Sequence, residues 1–116
     1  MTLQTSKSYS SEDEKVARYA KALGHPARIV ILRFLDKQCA CFAGNLAEQL
    51  PIAASTVSQH LKELKDAGLI QGTVMPPTIK YCINRTNWAE AQSLLYGLFE
   101  SAPRDKSVNE SLSCVS

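Results

Sequence analysis

The sequence predicts a mainly α fold of the α+β class, a winged helix-turn-helix, on three observations. Residues 55–67 read as an amphipathic helix. A shorter amphipathic stretch, residues 42–50, precedes it across a turn of a few residues. Two alternating strands follow directly, within residues 70–83. Two helices joined by so short a turn form a helix-turn-helix, and a two-stranded ribbon behind the second helix is a wing. Further helices are expected over residues 11–24, 26–36 and 87–100.

Each element has local signals. Ser11, Glu12, Asp13 and Glu14 have the form of a capping box. The helix they open carries Val16, Tyr19, Ala20 and Leu23 at helical spacing. Gly24 and His25 break it, and Pro26 suits the first turn of the next helix. That second helix is apolar on most sides, through Ile29, Val30, Ile31, Leu32, Phe34 and Leu35, which marks it as central. Arg28 and Arg33 are its expected wet edges. A connector with Cys39 and Cys41 leads to the short helix, which stops before Pro51.

On residues 55–67, Val57, Leu61 and Leu64 share one face of the helical wheel. Ser55, Ser58, Gln59 and Lys62 lie opposite, with Thr56 and His60 on the flanks. Only Glu63 and Asp66 bring negative charge, both toward the C-terminal end. Ser55 is the expected N-cap, and Gly68 the glycine that terminates the helix. A helix greasy inside and clad outside in hydroxyl, amide and ammonium groups suits a DNA major groove. In the wing, Ile79, Tyr81 and Ile83 alternate with Lys80 and Cys82, so one face is dry and the other carries the lysine. Lys80 and Arg85 are candidate phosphate contacts. Asn87 is the expected cap of the last helix, with Glu90 reaching back to it. Trp88, Ala91, Leu94, Leu95, Leu98 and Phe99 form a wide apolar stripe there. With Val16, Tyr19 and Leu23 of the first helix, that stripe is the expected dimer interface.

The 116 residues are 45% hydrophobic and 21% charged, which suits one globular domain. The expectation is a disordered N-terminus over residues 1–10, a DNA-binding and dimerisation domain over 11–100, and a flexible tail over 101–116. No apolar run reaches the ~20 residues of a membrane span, and Met1–Ser10 lacks the apolar region of a secretory signal. A cytoplasmic protein without membrane contact is expected. The net charge of +2 is too small to argue for nucleic acid alone. A dimer would double the phosphate contacts.

The order of elements, with Ala22 to Arg28, Ser55 to Ile70, and Tyr81 to Asn84 followed by Asn87 and Trp88, resembles the ArsR/SmtB family of bacterial winged-helix repressors. The resemblance implies a homodimer on a pseudo-palindromic double-stranded operator, released by an inducer, often a soft metal or metalloid. It also implies that Ser55, Thr56, Ser58, Gln59, His60 and Lys62 meet DNA. Gln59 has the amide geometry for adenine.

The four cysteines are Cys39, Cys41, Cys82 and Cys114. In a reducing compartment they are expected as thiols. No CxxC pair is present, which disfavours both a zinc ribbon and a small thiol reductase. In an extended segment Cys39 and Cys41 would point to the same side, and adjacent thiolates suit a thiophilic ion. Arsenic-sensing members of the family carry a similar Cys-x-Cys near this place. The expected inducer is therefore trivalent arsenic, inorganic or methylated, or antimony. It would be held by Cys39 and Cys41, with Cys114 as a further candidate ligand. A Cd(II)- or Pb(II)-responsive protein and a thiol redox or persulfide switch stay open. No obligatory cofactor is expected. The last helix has no histidine, which disfavours the zinc sites of other members.

Overall fold

A computed structural model describes residues 8–101 of the chain. The helices are α1 (Ser11–Ala22), α2 (Pro26–Lys37), α3 (Leu46–Gln49), α4 (Ala54–Asp66) and α5 (Arg85–Ser101). The strands are β1 (Cys41–Ala43), β2 (Ile70–Met75) and β3 (Thr78–Ile83). They form one antiparallel sheet in the order β1-β3-β2. Among the described residues no helix is long and apolar enough to cross a membrane. Of the N-terminus expected to be disordered over 1–10 and the tail expected over 101–116, residues 1–7 and 102–116, with Cys114, lie outside the described residues, and Ser101 is the last residue of α5.

The predicted winged helix-turn-helix is the fold observed. The predicted helix over 42–50 is the main departure. Only Leu46–Gln49 is helical, capped by the Asn45 side chain, which accepts from Ala47 N. Cys41–Ala43 instead pairs with Lys80–Cys82 of β3. Gly44 then turns the chain at φ +151°, where a Cβ would meet the Phe42 ring at 3.0 Å. Long-range strand pairing won over local helical preference.

Ile31, Leu35, Leu64, Leu69 and Ile70 are the largest fully buried side chains, so α2, α4 and the start of the wing share one core. α1 closes that core with α5. Tyr19 and Ala91 are buried, and Leu23, Trp88 and Leu94 pack against the core. The earlier helices do not fill the core alone, so Tyr19 and Ala91, expected at a dimer interface, belong to the inside of the subunit.

The helix ends follow from local chemistry. Ser10 rather than Ser11 caps α1, accepting from Asp13 N. His25 caps α2 through Nδ1, which accepts from Ala27 N. Arg28 Nε donates to the Ala22 carbonyl at 2.8 Å, so this arginine is a clamp on the end of α1 rather than a wet edge. Asn84 replaces Asn87 as the cap of α5, its side chain accepting from Asn87 N. Glu90 does not reach back but turns to α1, where it pairs with Lys15 at 2.7 Å and accepts from the Tyr19 hydroxyl. Burial, then the bond to Glu90, pushes the Tyr19 phenol up to about 12.

Candidate nucleic-acid interface and thiol cluster

α4 presents two unlike faces. Val57, His60, Leu61 and Leu64 are buried, whereas Ser55, Thr56, Ser58, Gln59 and Lys62 are exposed. The helix starts one residue earlier than expected. Ala53 is the N-cap, with no side-chain bond, and Ser55 lies inside the first turn. The Thr56 hydroxyl donates to the Ala53 carbonyl at 2.9 Å. The C-terminal end matches the sequence reading. Gly68 stands at φ +85°, Gly68 N donates to Lys65 O and Leu69 N to Leu64 O, a Schellman motif. Asn87 Nδ2 then donates to the Gly68 carbonyl at 2.9 Å, tying α5 to the turn that carries the wing.

His60 departs from the expected DNA contact. It is 9% exposed and its ring lies 4.4 Å from that of His25, so the start of α2 covers it. Its Nδ1 is buried without a hydrogen-bond partner. Burial, then the nearby charges of His25 and Arg28, hold this imidazole below its ordinary range. A helical wheel places His60 on the flank of the apolar arc, and no signal in the sequence shows that α2 reaches over that flank.

Two acids engage the exposed face. Lys62 pairs with Asp66 at 2.8 Å, and the hydrogen bond and charge of Asp66 raise the Lys62 ammonium above its usual range. Gln59 Nε2 lies 3.5 Å from Glu63 Oε2. The i,i+4 spacing of both pairs is the signal that could have shown them. Lys80 is half-buried in the middle of β3. Arg85 stands off the wing in the first turn of α5 and pairs with Asp36 at 2.8 Å, so its guanidinium is turned toward the end of α2.

The cysteines also sit differently from the expectation. Cys39 and Ala40 have φ +58° and +79°, left-handed backbone rather than an extended run. Ala40 N donates to Leu35 O, so Cys39 takes the helix-terminating position that glycine usually fills. Cys41 is joined to Cys82 in a disulfide, against the expectation of four free thiols. The pairing arises because β1 sets Cys41 directly opposite Cys82. Cys39 is an exposed free cysteine. Among the described residues no group of three or more His, Cys, Asp or Glu side chains could hold a metal ion.

A family of helix-turn-helix domains matches residues 23–73 of the chain. The HTH-type transcriptional regulator YgaV of Escherichia coli strain K12 is 37% identical over 70 residues, 60% of this chain and 71% of that protein. The cadmium metal-sensor CMTR from Mycobacterium tuberculosis, solved by NMR, is 30% identical. It superimposes with a TM-score of 0.52 over 87% of this chain and 97% of its own. An ArsR-like transcriptional regulator from Rhodococcus sp. RHA1 shares the fold with a TM-score of 0.66 at 20% identity, over 78% of this chain and 85% of that one.

Proposed function

The chain belongs to the ArsR-like family of winged-helix, DNA-binding transcriptional regulators, and from that premise we propose that it is a homodimeric repressor released from its operator by a thiophilic inducer. The observation that carries the reading is the outer arc of α4, where Ser55, Ser58, Gln59 and Lys62 are exposed over a buried row of Val57, Leu61 and Leu64. Set in a major groove, Gln59 offers an amide to a base edge, while Ser55, Ser58 and Lys62 reach phosphates. Lys80 extends the contact along the wing. Arg85 joins it only by leaving Asp36.

Residues 11–100 act as one unit that also dimerises. Phe99 is 73% exposed on α5, where Leu95 is half-buried, and Val16 is half-buried on α1, which packs against α5. Two copies joined there would present two α4 helices to a pseudo-palindromic site.

The inducer reading rests on the cysteines near β1 and on the 30% identity to a protein described as a cadmium metal-sensor. Trivalent arsenic, antimony and Cd(II) all favour thiolates. A redox-responsive repressor is the second reading, favoured by the disulfide between Cys41 and Cys82. In either case the inducer must prefer the DNA-free state, by ~1–3 kcal/mol of coupling.

Fluorescence anisotropy on operator DNA tests the DNA-reading face. Gln59→Ala should weaken specific binding by roughly tenfold or more and relax base preference. Binding to mismatched DNA should change little. Equal losses on both DNAs would contradict a base-reading role for Gln59.

A further inference from the structure

We infer that Cys41 and Cys82 form a dithiol clamp for a soft centre that accepts two thiolates, a monosubstituted trivalent arsenical, and that their disulfide is the closed form of this clamp. The inference rests on the thiophile-responsive reading above and changes its ligand set. The sequence pairs Cys39 with Cys41; the fold pairs Cys41 with Cys82.

The geometry is set by the sheet rather than by the cysteines. Cys41 of β1 and Cys82 of β3 are register partners with Cα atoms 4.0 Å apart. Directly opposed residues on an antiparallel pair project from the same face, with Cβ atoms close enough to be bridged through one heavy atom. Ladder pairing holds both backbones. Cys82 sits on the central strand, between Cys41 on one side and Gln71 of β2 on the other. Both cysteines are half-buried, so the pair is shielded but reachable.

The number of sulfurs selects the ligand. The opposed pair offers two sulfurs, and Cys39 ends α2 in left-handed backbone before the strand begins. A two-thiolate site matches an arsenical that keeps one carbon substituent and has two exchangeable oxygens. Two As–S bonds form and two As–O bonds break. The two thiol protons leave with the oxygens as two water molecules, and arsenic stays trivalent. Inorganic arsenite would keep one oxygen in such a site.

The disulfide and the arsenical compete for the same two sulfurs. Opening the disulfide takes a dithiol reductant, which supplies two electrons and two protons and leaves as its own disulfide. The clamp also lies where it can act on DNA binding. Lys80, two residues before Cys82, shares its strand face, and β1 is the link between α2 and the helix-turn-helix. Seating an atom between β1 and β3 alters the spacing between the wing and α4.

The test uses the full chain and phenylarsine oxide as the probe. The reduced protein should take up one equivalent with loss of two titratable thiols, and the diamide-oxidised protein should take up none. N-ethylmaleimide labelling of the adduct, read by peptide mass, should mark Cys39 and spare Cys41 and Cys82. This arm needs no variant, so a folding defect cannot obscure it. Cys82→Ser should weaken uptake at least about tenfold, since one thiolate loses the chelate. Protection of Cys39 with Cys41 instead, or uptake by Cys82→Ser equal to wild type, would overturn the clamp. Operator release separates the two readings. If Cys82→Ser is released by phenylarsine oxide as readily as wild type, the clamp falls and the thiophile-responsive reading survives. If the Cys41–Cys82 adduct forms and stays on DNA, the clamp stands and that reading falls.

Discussion

His60 is a recognition-helix residue turned inward, and its cost is electrostatic. The fold shields its imidazole from water and sets it beside His25 and Arg28, with Glu63 on its own helix as the only offsetting charge among the causes of its shift. The unfolded chain titrates near 6.5, whereas the folded chain resists that proton. His60 therefore leaves stability intact above about pH 6.5 and lowers it as the pH falls from there through the depressed folded value. Thermal melts from about pH 8 to about pH 5 should show a steeper drop in Tm for wild type than for His60→Leu. Parallel curves would contradict a buried neutral imidazole. Asp66 makes a second residue-scale prediction. Its carboxylate holds Lys62, on the helix face proposed to meet DNA. Asp66→Asn should tighten operator binding roughly two- to fivefold at low salt, because an exposed pair is weak and a phosphate takes the freed ammonium. Unchanged affinity would mean that Lys62 does not reach the backbone.

At the scale of the element, α4 was legible at its C-terminal end and in its apolar row. Gly68 and the Val57, Leu61 and Leu64 spacing are local signals, and local signals survive folding. Its cap lies two residues before the expected one, because Ser55 has the right side chain, yet Ala53 has the right backbone, at φ −61° and ψ 133°. Ala53→Ser should then supply the missing cap and raise stability by about 1 kcal/mol in urea unfolding. No gain would place the helix start elsewhere. β1 was not legible. Three residues carry too little pattern, and their strand identity comes from β3, some forty positions downstream. The Cys41–Cys82 pair was hidden for the same reason. Alternation put Cys82 beside Lys80 on one face, but nothing local named Cys41 as its neighbour.

At the scale of the whole molecule, the expected dimer stripe divides in two. Its inner half, Tyr19 and Ala91 with Trp88 and Leu94 against them, seals α1 and α5 onto the core. Its outer half, with Phe99 at 73% exposure, is the part open to the proposed partner copy. Helical periodicity reports that a stripe is apolar but not whether its own subunit or a second one covers it. Phe99→Glu should weaken self-association about tenfold or more by analytical ultracentrifugation while leaving the helical circular dichroism unchanged. Unaltered association would remove the end of α5 from the interface.

The central claim, that paired copies of α4 read major grooves through Gln59 and its neighbours, meets its most direct test in an N7-methylation protection footprint on operator DNA. Two patches of major-groove protection, centred roughly ten base pairs or a multiple of that apart, are expected for wild type. Replacing an operator adenine by 7-deazaadenine, which removes its N7 acceptor, should weaken wild-type binding in both patches and leave Gln59→Ala unaffected. Protection confined to the minor groove, or an equal 7-deazaadenine loss in wild type and Gln59→Ala, would contradict the account.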